Sequence, residues 1–309
     1  MKVVEHILSS TEPRISFEIT PPLRGGTIAS LIDVVDRLAQ YHPPFIDVTS
    51  HAAERKNGRN GVTLRRKRPG TLGICAVIKH AYKIDAVPHV LCKGFTREES
   101  EDFLIDMHYL SIENVLAIQG DDHGYQKPVL EGRSINTYAK DLVQQITAMN
   151  KGKYLEDVCA DQTNFCIGVA GYPEKHVIAL DKETDIRYLK EKVEAGAQYI
   201  VTQMFFDNQN YFNFVGRCRA AGITVPIIPG LKIITKQNQL VNIPNFFHVE
   251  IPSELAEEVR AAKPEHVPYV GVEWAARQVK KLLNANIPLI HFYVVQNADP
   301  IEKLIEQLK

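Results

Sequence analysis

The segment Asn164-Phe165-Cys166-Ile167-Gly168-Val169-Ala170-Gly171-Tyr172-Pro173-Glu174-Lys175-His176 joins an apolar run to a cluster of aromatic, proline, acidic and histidine residues. The run is short and nearly all apolar, as expected of a parallel strand that is covered on both faces. Polar groups that gather where such a strand ends are typical of the floor of a binding site. The segment therefore predicts a buried strand with a functional site at its carboxyl end.

Short apolar runs that end in polar or aromatic residues recur along the chain. Phe17-Glu18-Ile19-Thr20 leads into a proline pair, and Leu289-Ile290-His291-Phe292 ends in Tyr293. Runs rich in β-branched and aromatic residues are typical of strands. Eight strands are predicted, at residues 15–20, 45–49, 86–92, 114–119, 165–171, 199–206, 226–230 and 289–293.

Longer amphipathic stretches alternate with the strands. Their apolar residues recur at spacings of three and four, which predicts helices. Alternating strands and helices indicate a parallel sheet built from repeated strand–helix units. The predicted helices include residues 27–41, 97–110, 135–149, 184–195, 208–221 and 271–284.

The number of strand–helix units distinguishes a closed barrel from an open sheet. Eight units close a barrel, whereas an open doubly wound sheet usually has about five to seven strands and a glycine-rich first turn. No G-x-G-x-x-G motif follows the first strand, and the length of 309 residues suits one barrel. We predict an α/β fold, an eight-stranded parallel (β/α)8 TIM barrel that forms a single catalytic domain over residues 1–309.

The amino-acid composition argues against several classes of protein for this chain. Hydrophobic residues make up 45%, charged residues 24%, and the formal net charge is -1, so nucleic-acid binding is not expected. The one strongly basic stretch, residues 63–69, is interpreted as a solvated loop, with phosphate contact as the alternative. No membrane span or signal peptide is predicted, and a cytoplasmic location is expected. The five cysteines form no C-x-x-C pair, so we expect neither disulfides nor a metal site.

Two long connections leave predicted strand ends. Residues 50–68 are rich in Arg, Lys, Asn and Gly, and residues 120–133 are rich in Gly, acidic and aromatic residues. Barrels place their active-site loops at the carboxyl ends of strands. We interpret both connections as candidate lids.

The polar residues at strand ends suggest acid chemistry around an organic cofactor. Glu18 lies between apolar neighbours, so its pKa should rise toward that of a general acid at neutral pH. Asp121 follows Gly120 at a strand end, where the backbone can approach a ligand closely. His89 and His176, taken singly, also fit structural roles. With no P-loop, G-x-S-x-G elbow or H-E-x-x-H helix in the chain, a bound organic cofactor is expected to perform the difficult step.

Taken in order, these motifs resemble the methylenetetrahydrofolate reductase family, which are flavin enzymes of the eight-stranded barrel type. The resemblance covers nearly the whole chain. It rests on Phe17-Glu18 with Pro21-Pro22, Val48-Thr49, Pro88-His89, Gly120-Asp121, Ala170-Gly171-Tyr172-Pro173-Glu174 with His176, Lys192 with Ala195-Gly196-Ala197, Thr202-Gln203 with Phe205-Phe206-Asp207, Ile227-Ile228-Pro229-Gly230, and His291-Phe292-Tyr293.

The resemblance implies reduction of 5,10-methylenetetrahydrofolate to 5-methyltetrahydrofolate, with FAD carrying hydride from NADH or NADPH. Glu18 matches the general acid that protonates the bridged folate and opens it to an iminium. Asp121 matches a carboxylate near flavin and pterin, and Gln203 matches a substrate contact. A homo-oligomer is expected. The positions that match FAD contacts are Thr49, His89, Gln119, Gly120, Asp121, Ala170, Tyr172, His176, Asp185, Lys192 and Tyr293.

The chain departs from the family pattern at three places. Gln119 stands where the family commonly has Arg, and Tyr188 stands where an Asn often contacts FAD. Gln296-Asn297-Ala298 replaces an Asn-Arg pair after the last strand. The chain also ends after the eighth predicted helix, so the regulatory region of the eukaryotic enzymes is not expected.

Three other functions remain open from the sequence. A proline-dehydrogenase-like flavin barrel would need a base, or no proton donor, at Glu18. A flavin-bearing electron-transfer subunit would expose an apolar face and would not oxidise NADH. A barrel that binds folate without catalysis would have no use for an acid at Glu18.

Overall fold

The structure is a computed structural model that describes residues 1–58, 61–121, 127–158 and 160–308. Its strands are β1 (Arg14–Ile19), β2 (Phe45–Val48), β3 (Ala53–Gly58), β4 (Gly61–Arg66), β5 (Asp85–Leu91), β6 (Asn114–Ile118), β7 (Cys166–Gly171), β8 (Tyr199–Thr202), β9 (Ile227–Ile228), β10 (Gly230–Leu231) and β11 (Leu289–Val295). Its helices are α1 (Val3–Leu8), α2 (Ala29–Ala39), α3 (Thr71–Ala81), α4 (Arg97–Tyr109), α5 (Ala139–Met149), α6 (Lys182–Glu194), α7 (Asn208–Ala220), α8 (Gln239–Phe247), α9 (Ser253–Ala261), α10 (Val267–Asn284) and α11 (Asp299–Leu308).

The main sheet is parallel and closes on itself. Its order is β10-β11-β1-β2-β5-β6-β7-β8-β9. Only Pro229 separates β9 from β10, and its carbonyl oxygen accepts a hydrogen bond of 2.9 Å from the amide of His291. The segment β9–β10 therefore acts as one barrel strand that bonds β8 on one side and β11 on the other. Nine short strands thus fill eight positions, and the predicted TIM barrel is confirmed.

Several predicted boundaries were wrong, among them the start of α10, which begins at Val267 rather than at 271, and three further differences have a clear local cause. The strand predicted at 226–230 is divided because Pro229 has no amide hydrogen to donate. The strand predicted at 199–206 ends at Thr202. The apolar residues that follow it, Met204, Phe205 and Phe206, are buried in the loop after the strand. The helix predicted from 135 begins at Ala139, because the Asp141 side chain accepts hydrogen bonds from the amides of residues 137 and 138.

The connection at 50–68 contains an antiparallel hairpin, β3–β4, that the sequence analysis did not predict. The basic stretch was interpreted as a solvated loop, but most of it lies in strand β4 and two of its arginines contact the protein, although residues 63, 64 and 67 are exposed. Arg66 donates to the carbonyl of His51 at 3.0 Å and lies over the Phe95 ring. Arg68 donates to the carbonyl of Pro21 at 2.6 Å. These contacts hold the hairpin against the rim of the barrel. Residues 122–126 of the other candidate lid, residues 120–133, lie outside the described residues.

Apolar side chains fill the lower part of the barrel interior. Val3 of α1 closes the amino-terminal end, where its amide donates to Asn114 Oδ1 at 2.8 Å. A second core lies between the sheet and the surrounding helices. Among the described residues, no helix is long and apolar enough to cross a membrane. The interior cluster consists of Val3, Phe45, Val87, Leu116, Cys166, Tyr199, Val201, Ile228 and Leu289.

Gly168 is required by this interior packing. A Cβ atom there would overlap the ring of Tyr199, whose hydroxyl donates to the Val115 carbonyl at 3.4 Å. We expect Gly168→Ala to lower the free energy of unfolding by about 1–3 kcal/mol, as overpacked cores do. Gly216→Ala is the matched control, because a Cβ at that helical position meets nothing within 4 Å. Urea unfolding should show the control at least as stable as wild type, and equal losses in both variants would contradict this account of the packing.

Candidate active site

Four polar side chains meet inside the upper part of the barrel. Glu18 on β1 is in register with Asp47 on β2 and with Tyr293 on β11. Neighbouring residues in register project to the same face of a sheet, so all three point inward. His89 lies two residues beyond Val87, the partner of Asp47 on β5, and joins them from the layer above. The register of the strands therefore assembles this group.

His89 stands between two carboxyl groups. Its Nε2 atom lies 3.5 Å from Glu18 Oε2 and 3.6 Å from Asp47 Oδ1. The side chains are almost sealed from solvent, with exposed fractions of 6% for His89, 13% for Glu18 and 1% for Asp47. Burial lowers the pKa of His89, although the charge of Glu18 opposes this. A neutral imidazole therefore separates the two acids at neutral pH.

The pKa of Glu18 is raised to about 7. Burial is the main cause, and the smaller effects are lowering by His89, raising by Asp47 and lowering by Lys232. A carboxyl group with this pKa is substantially protonated near neutral pH, as a general acid must be. The expectation of a raised pKa at Glu18 is thus met.

Asp47 and Lys232 are functional candidates that the sequence analysis missed. Burial raises the pKa of Asp47 well above its ordinary value. Lys232 donates to the carbonyl of Tyr293 at 3.2 Å and places a cation on the Glu18 side of the group. Asp47 lies within the predicted strand at residues 45–49, where its neighbours are apolar. Its inward position in register with Glu18 was the signal that could have identified it.

A second polar group surrounds the carboxyl end of β7. Lys192 on α6 donates to the carbonyl of Ala170 at 2.8 Å, and Asp185 accepts from the amide of His176 at 3.1 Å. Burial lowers the pKa of Lys192 to about 8 while the charge of Asp185 opposes the shift, so the ammonium form persists at neutral pH. The rings of Tyr172 and His176 meet edge to face at 4.4 Å. These five predicted residues form one rim around the end of β7.

Burial lowers the pKa of His176 to about 4, and the nearby cations, led by Lys192 and Lys175, add to the shift. Its imidazole is therefore neutral at working pH and can accept as well as donate a hydrogen bond. Burial raises the pKa of Tyr172, and the charges of Asp185 and Asp121 contribute. That effect places the exposed Asp121 within electrostatic reach of the rim around β7.

Tyr293 joins the two groups. Its hydroxyl donates to the carbonyl of Thr202 at 2.5 Å. Burial raises its pKa, followed in effect by Glu18, Asp47 and Tyr172. Gln203 is the next residue after Thr202, and its backbone N–H donates to the carbonyl of Gly171 at 2.8 Å. The predicted substrate contact therefore lies beside the end of β7.

The remaining predicted positions also lie at strand ends. Thr49 follows β2, and its buried hydroxyl oxygen has no hydrogen-bond partner. Gly120 follows β6 with a φ of 85°, a conformation that favours glycine. Gln119 donates to the carbonyl of Thr137 at 3.3 Å. The predicted set therefore shares one end of the barrel.

The other two departures from the family pattern have local partners. The Arg187 guanidinium lies 5.4 Å from the centre of the half-exposed Tyr188 ring. Asn297 Oδ1 accepts from the amide of Asp299 at 3.0 Å, at the start of α11. Among the described residues, no group of three or more His, Cys, Asp or Glu side chains is placed to hold a metal ion.

Burying Glu18 should cost stability in a pH-dependent way. Its pKa is about 7 in the fold and 4.5 ordinarily, so the unfolded chain releases this proton first, and stability falls as pH rises between those values. We expect Glu18→Gln to raise the free energy of unfolding by about 1–3 kcal/mol near pH 8 and to have little effect near pH 5. Urea unfolding at both pH values measures this. A difference that does not change with pH would contradict it.

Comparison with known proteins identifies relatives along the whole chain. The family model described as methylenetetrahydrofolate reductase matches residues 3–309. Methylenetetrahydrofolate reductase (NADH) 1 of Arabidopsis thaliana is 34% identical over 96% of this chain and 48% of its own length. The 5,10-methylenetetrahydrofolate reductase of Salmonella typhimurium is 31% identical over 92% of this chain and 87% of its own length.

The lengths of the relatives and the fold of a solved structure agree with these sequence matches. The chain spans about half the length of the plant and fungal relatives it matches, and most of the length of the bacterial ones. A Clostridium thermocellum protein, whose structure is described as binding two copies of 5-methyl-5,6,7,8-tetrahydrofolic acid, superposes with a TM-score of 0.55 at 14% identity. The superposition covers 94% of this chain and 91% of that one, and it shows a shared fold. The family model and the bacterial relatives together show that the chain belongs to the methylenetetrahydrofolate reductase family.

Proposed function

We propose that this protein reduces 5,10-methylenetetrahydrofolate to 5-methyltetrahydrofolate, with FAD as cofactor and NADH or NADPH as reductant. Family membership supports the reaction, because relatives from plants and bacteria carry that name. One observation about the site carries the proposal further: Glu18 is a buried carboxyl group with a pKa of about 7 at the carboxyl ends of the strands. That group suits a reaction in which a proton must reach a substrate nitrogen.

The residues at the carboxyl ends of β2, β6 and β7 fit a bound flavin nucleotide. The unpartnered hydroxyl of Thr49 and the neutral imidazole of His176 offer polar contacts. Gly120 adopts a conformation that brings the backbone close to a ligand, and Lys192 provides a cation for a phosphate. FAD, when bound, supplies reversible hydride chemistry that side chains lack. The other residues proposed to hold it are His89, Gln119, Asp121, Ala170, Tyr172, Asp185 and Tyr293.

Glu18 is proposed to act as the general acid. Its carboxyl proton passes to a bridging nitrogen of the folate, the carbon–nitrogen bond opens, and the resulting iminium becomes the acceptor for hydride. Asp121 is proposed to stabilise the cationic iminium from the rim, and Gln203 to orient the folate. The Glu18 side chain is only 13% exposed, so electrostatic effects on its carboxyl group are stronger than they would be in water.

A proline-dehydrogenase-like reaction has less support. Amine oxidation calls for a base or for no proton transfer, whereas the raised pKa of Glu18 favours its protonated form near neutral pH. The choice between NADH and NADPH, assembly as a homo-oligomer and a cytoplasmic location stay predictions from the sequence.

The first test is made on purified wild-type protein. We expect noncovalently bound FAD, because no attachment motif is present in the sequence, and acid treatment should release it intact. Anaerobic NADH or NADPH should bleach the flavin, and methylenetetrahydrofolate should restore its colour with formation of methyltetrahydrofolate. Protein that stays colourless in excess FAD, or reduced protein that the folate does not reoxidise, would refute the proposed function.

The second test separates the two half-reactions. Glu18→Gln keeps the size and removes the proton, so folate-dependent reoxidation should slow by at least about 100-fold while reduction by the nicotinamide continues. Stopped-flow absorbance measures both rates.

Glu174→Gln is the matched control. Glu174 also has a pKa of about 7, but its carboxylate accepts hydrogen bonds from the amide of Glu250 and from Asn210, away from the barrel interior. We expect a folate-dependent rate within about 10-fold of wild type, well above that of the Glu18 variant. Equal loss in both half-reactions of Glu18→Gln would contradict its role as an acid.

A further inference from the structure

We propose that Asp47 keeps the acid Glu18 protonated, because the two buried carboxyl groups share a proton through His89. This inference rests on the proposed function and adds a residue to it. Asp47 acts through another residue, so it is a positioning residue. Neither the family motifs nor the resemblance assigned it a role.

The hydrogen-bond pattern around Asp47 is unusual for a buried carboxyl group. Both of its side-chain oxygen atoms are buried and neither has a hydrogen-bond partner, and the same is true of His89 Nε2. Buried polar groups of this kind usually have partners, and an exception calls for an explanation. His291 cannot serve, because its Nδ1 lies 4.0 Å from Asp47 and is bonded to the Ser16 hydroxyl at 2.9 Å.

No histidine cation neutralises the pair at neutral pH. Burial lowers the pKa of His291 to about 3, and burial also lowers that of His89. Lys232 is the cation that faces Glu18, and it stabilises the carboxylate of Glu18 after its proton has left. Asp47 opposes this effect, since a second negative charge nearby makes ionisation of Glu18 less favourable.

The proposed transfer conserves protons and needs no oxidant. After Glu18 has given its proton to the folate, both acids are carboxylates, and Asp47 takes up one proton from the solvent and passes it to His89 Nε2. The imidazolium then returns that proton from the same nitrogen to Glu18 Oε2. Asp47 becomes a carboxylate, His89 is neutral again, and Glu18 is ready for another turnover. The two acids then titrate as a coupled pair rather than separately.

Several other titratable groups interact electrostatically with this pair. All of these groups except Lys232 are uncharged at neutral pH. Burial raises the pKa of the phenols and the thiol, and it lowers the pKa of the two histidines. The groups are His89 on β5, His291 and Tyr293 on β11, Cys75 on α3, Tyr199 on β8, and Lys232 after β10.

The test is the pH dependence of the folate half-reaction in Asp47→Asn. The rate should fall as pH rises through the midpoint for Glu18, and removal of the Asp47 charge should move that midpoint down by about one unit or more. Near pH 8 the variant should then be about 10-fold slower than wild type, and near pH 5 within a few-fold. A uniform loss with an unchanged midpoint would overturn the proposal and leave Asp47 a structural role.

Asp85→Asn is the matched control. Asp85 begins β5 at the opposite end of the barrel, where it pairs with Lys79 at 2.7 Å and His6 at 2.8 Å. We expect this variant to lose stability without any change of midpoint. If Asp47→Asn does not fold, Asp47→Ser removes the charge with a smaller side chain and should show the same shift.

An infrared titration tests the pair independently of folate turnover. Wild type should retain a protonated carboxyl band at neutral pH, and the bands should change when either Glu18→Gln or Asp47→Asn is introduced. Absence of a protonated carboxyl at neutral pH, or a band that does not respond to the loss of either residue, would overturn the inference. Failure of wild type to reduce methylenetetrahydrofolate would instead refute the proposed function and leave this measurement to decide the pairing.

Discussion

Closure of the parallel sheet is the constraint on which the site depends. Every barrel strand runs in the same direction, so all carboxyl ends meet at one rim. Pro229 stands at the critical point, because it interrupts the strand that must bond both β8 and β11 while its carbonyl still accepts the amide of His291. Residues far apart in sequence, such as Glu18 and Tyr293, become neighbours through this closure.

The interior of the barrel is divided by chemistry. Its lower part is apolar and is closed by Val3, whereas its upper part holds two carboxyl groups and two histidines. Burying an ionisable acid is unfavourable unless it stays neutral or finds a partner. The fold accepts that cost at Glu18, and the apolar layers beneath it provide the stability that offsets it. Burial of Glu18 is thus the main cause of its raised pKa.

Patterns in the sequence were enough to predict the barrel, because each strand is a short apolar run with polar residues after it. They did not predict the hairpin β3–β4, whose strands are polar and pair only with each other. Helix α3 was also missed, since residues 71–81 directly follow the basic stretch and were not separated from that connection. The predicted site residues do lie at one rim, but apart from Glu18, whose acid role follows from its apolar neighbours, their roles rest on family resemblance. Asp47 was missed because an acid within an apolar run is recognisable only when the register places it beside Glu18.

Charge balance at the rim differs between the two polar groups. Lys192 faces Asp185, so the group around β7 contains its own cation. Lys232 faces Glu18 from the residue after β10, whereas the neutral Gln119 follows β6. Among the contacts of the described residues, no lysine or arginine pairs with Asp47. Since an isolated buried carboxylate is strongly unfavourable, the proposed sharing of one proton with Glu18 would lower the cost of burying Asp47, and His89 Nε2 lies 3.5 Å from Glu18 Oε2 and 3.6 Å from Asp47 Oδ1.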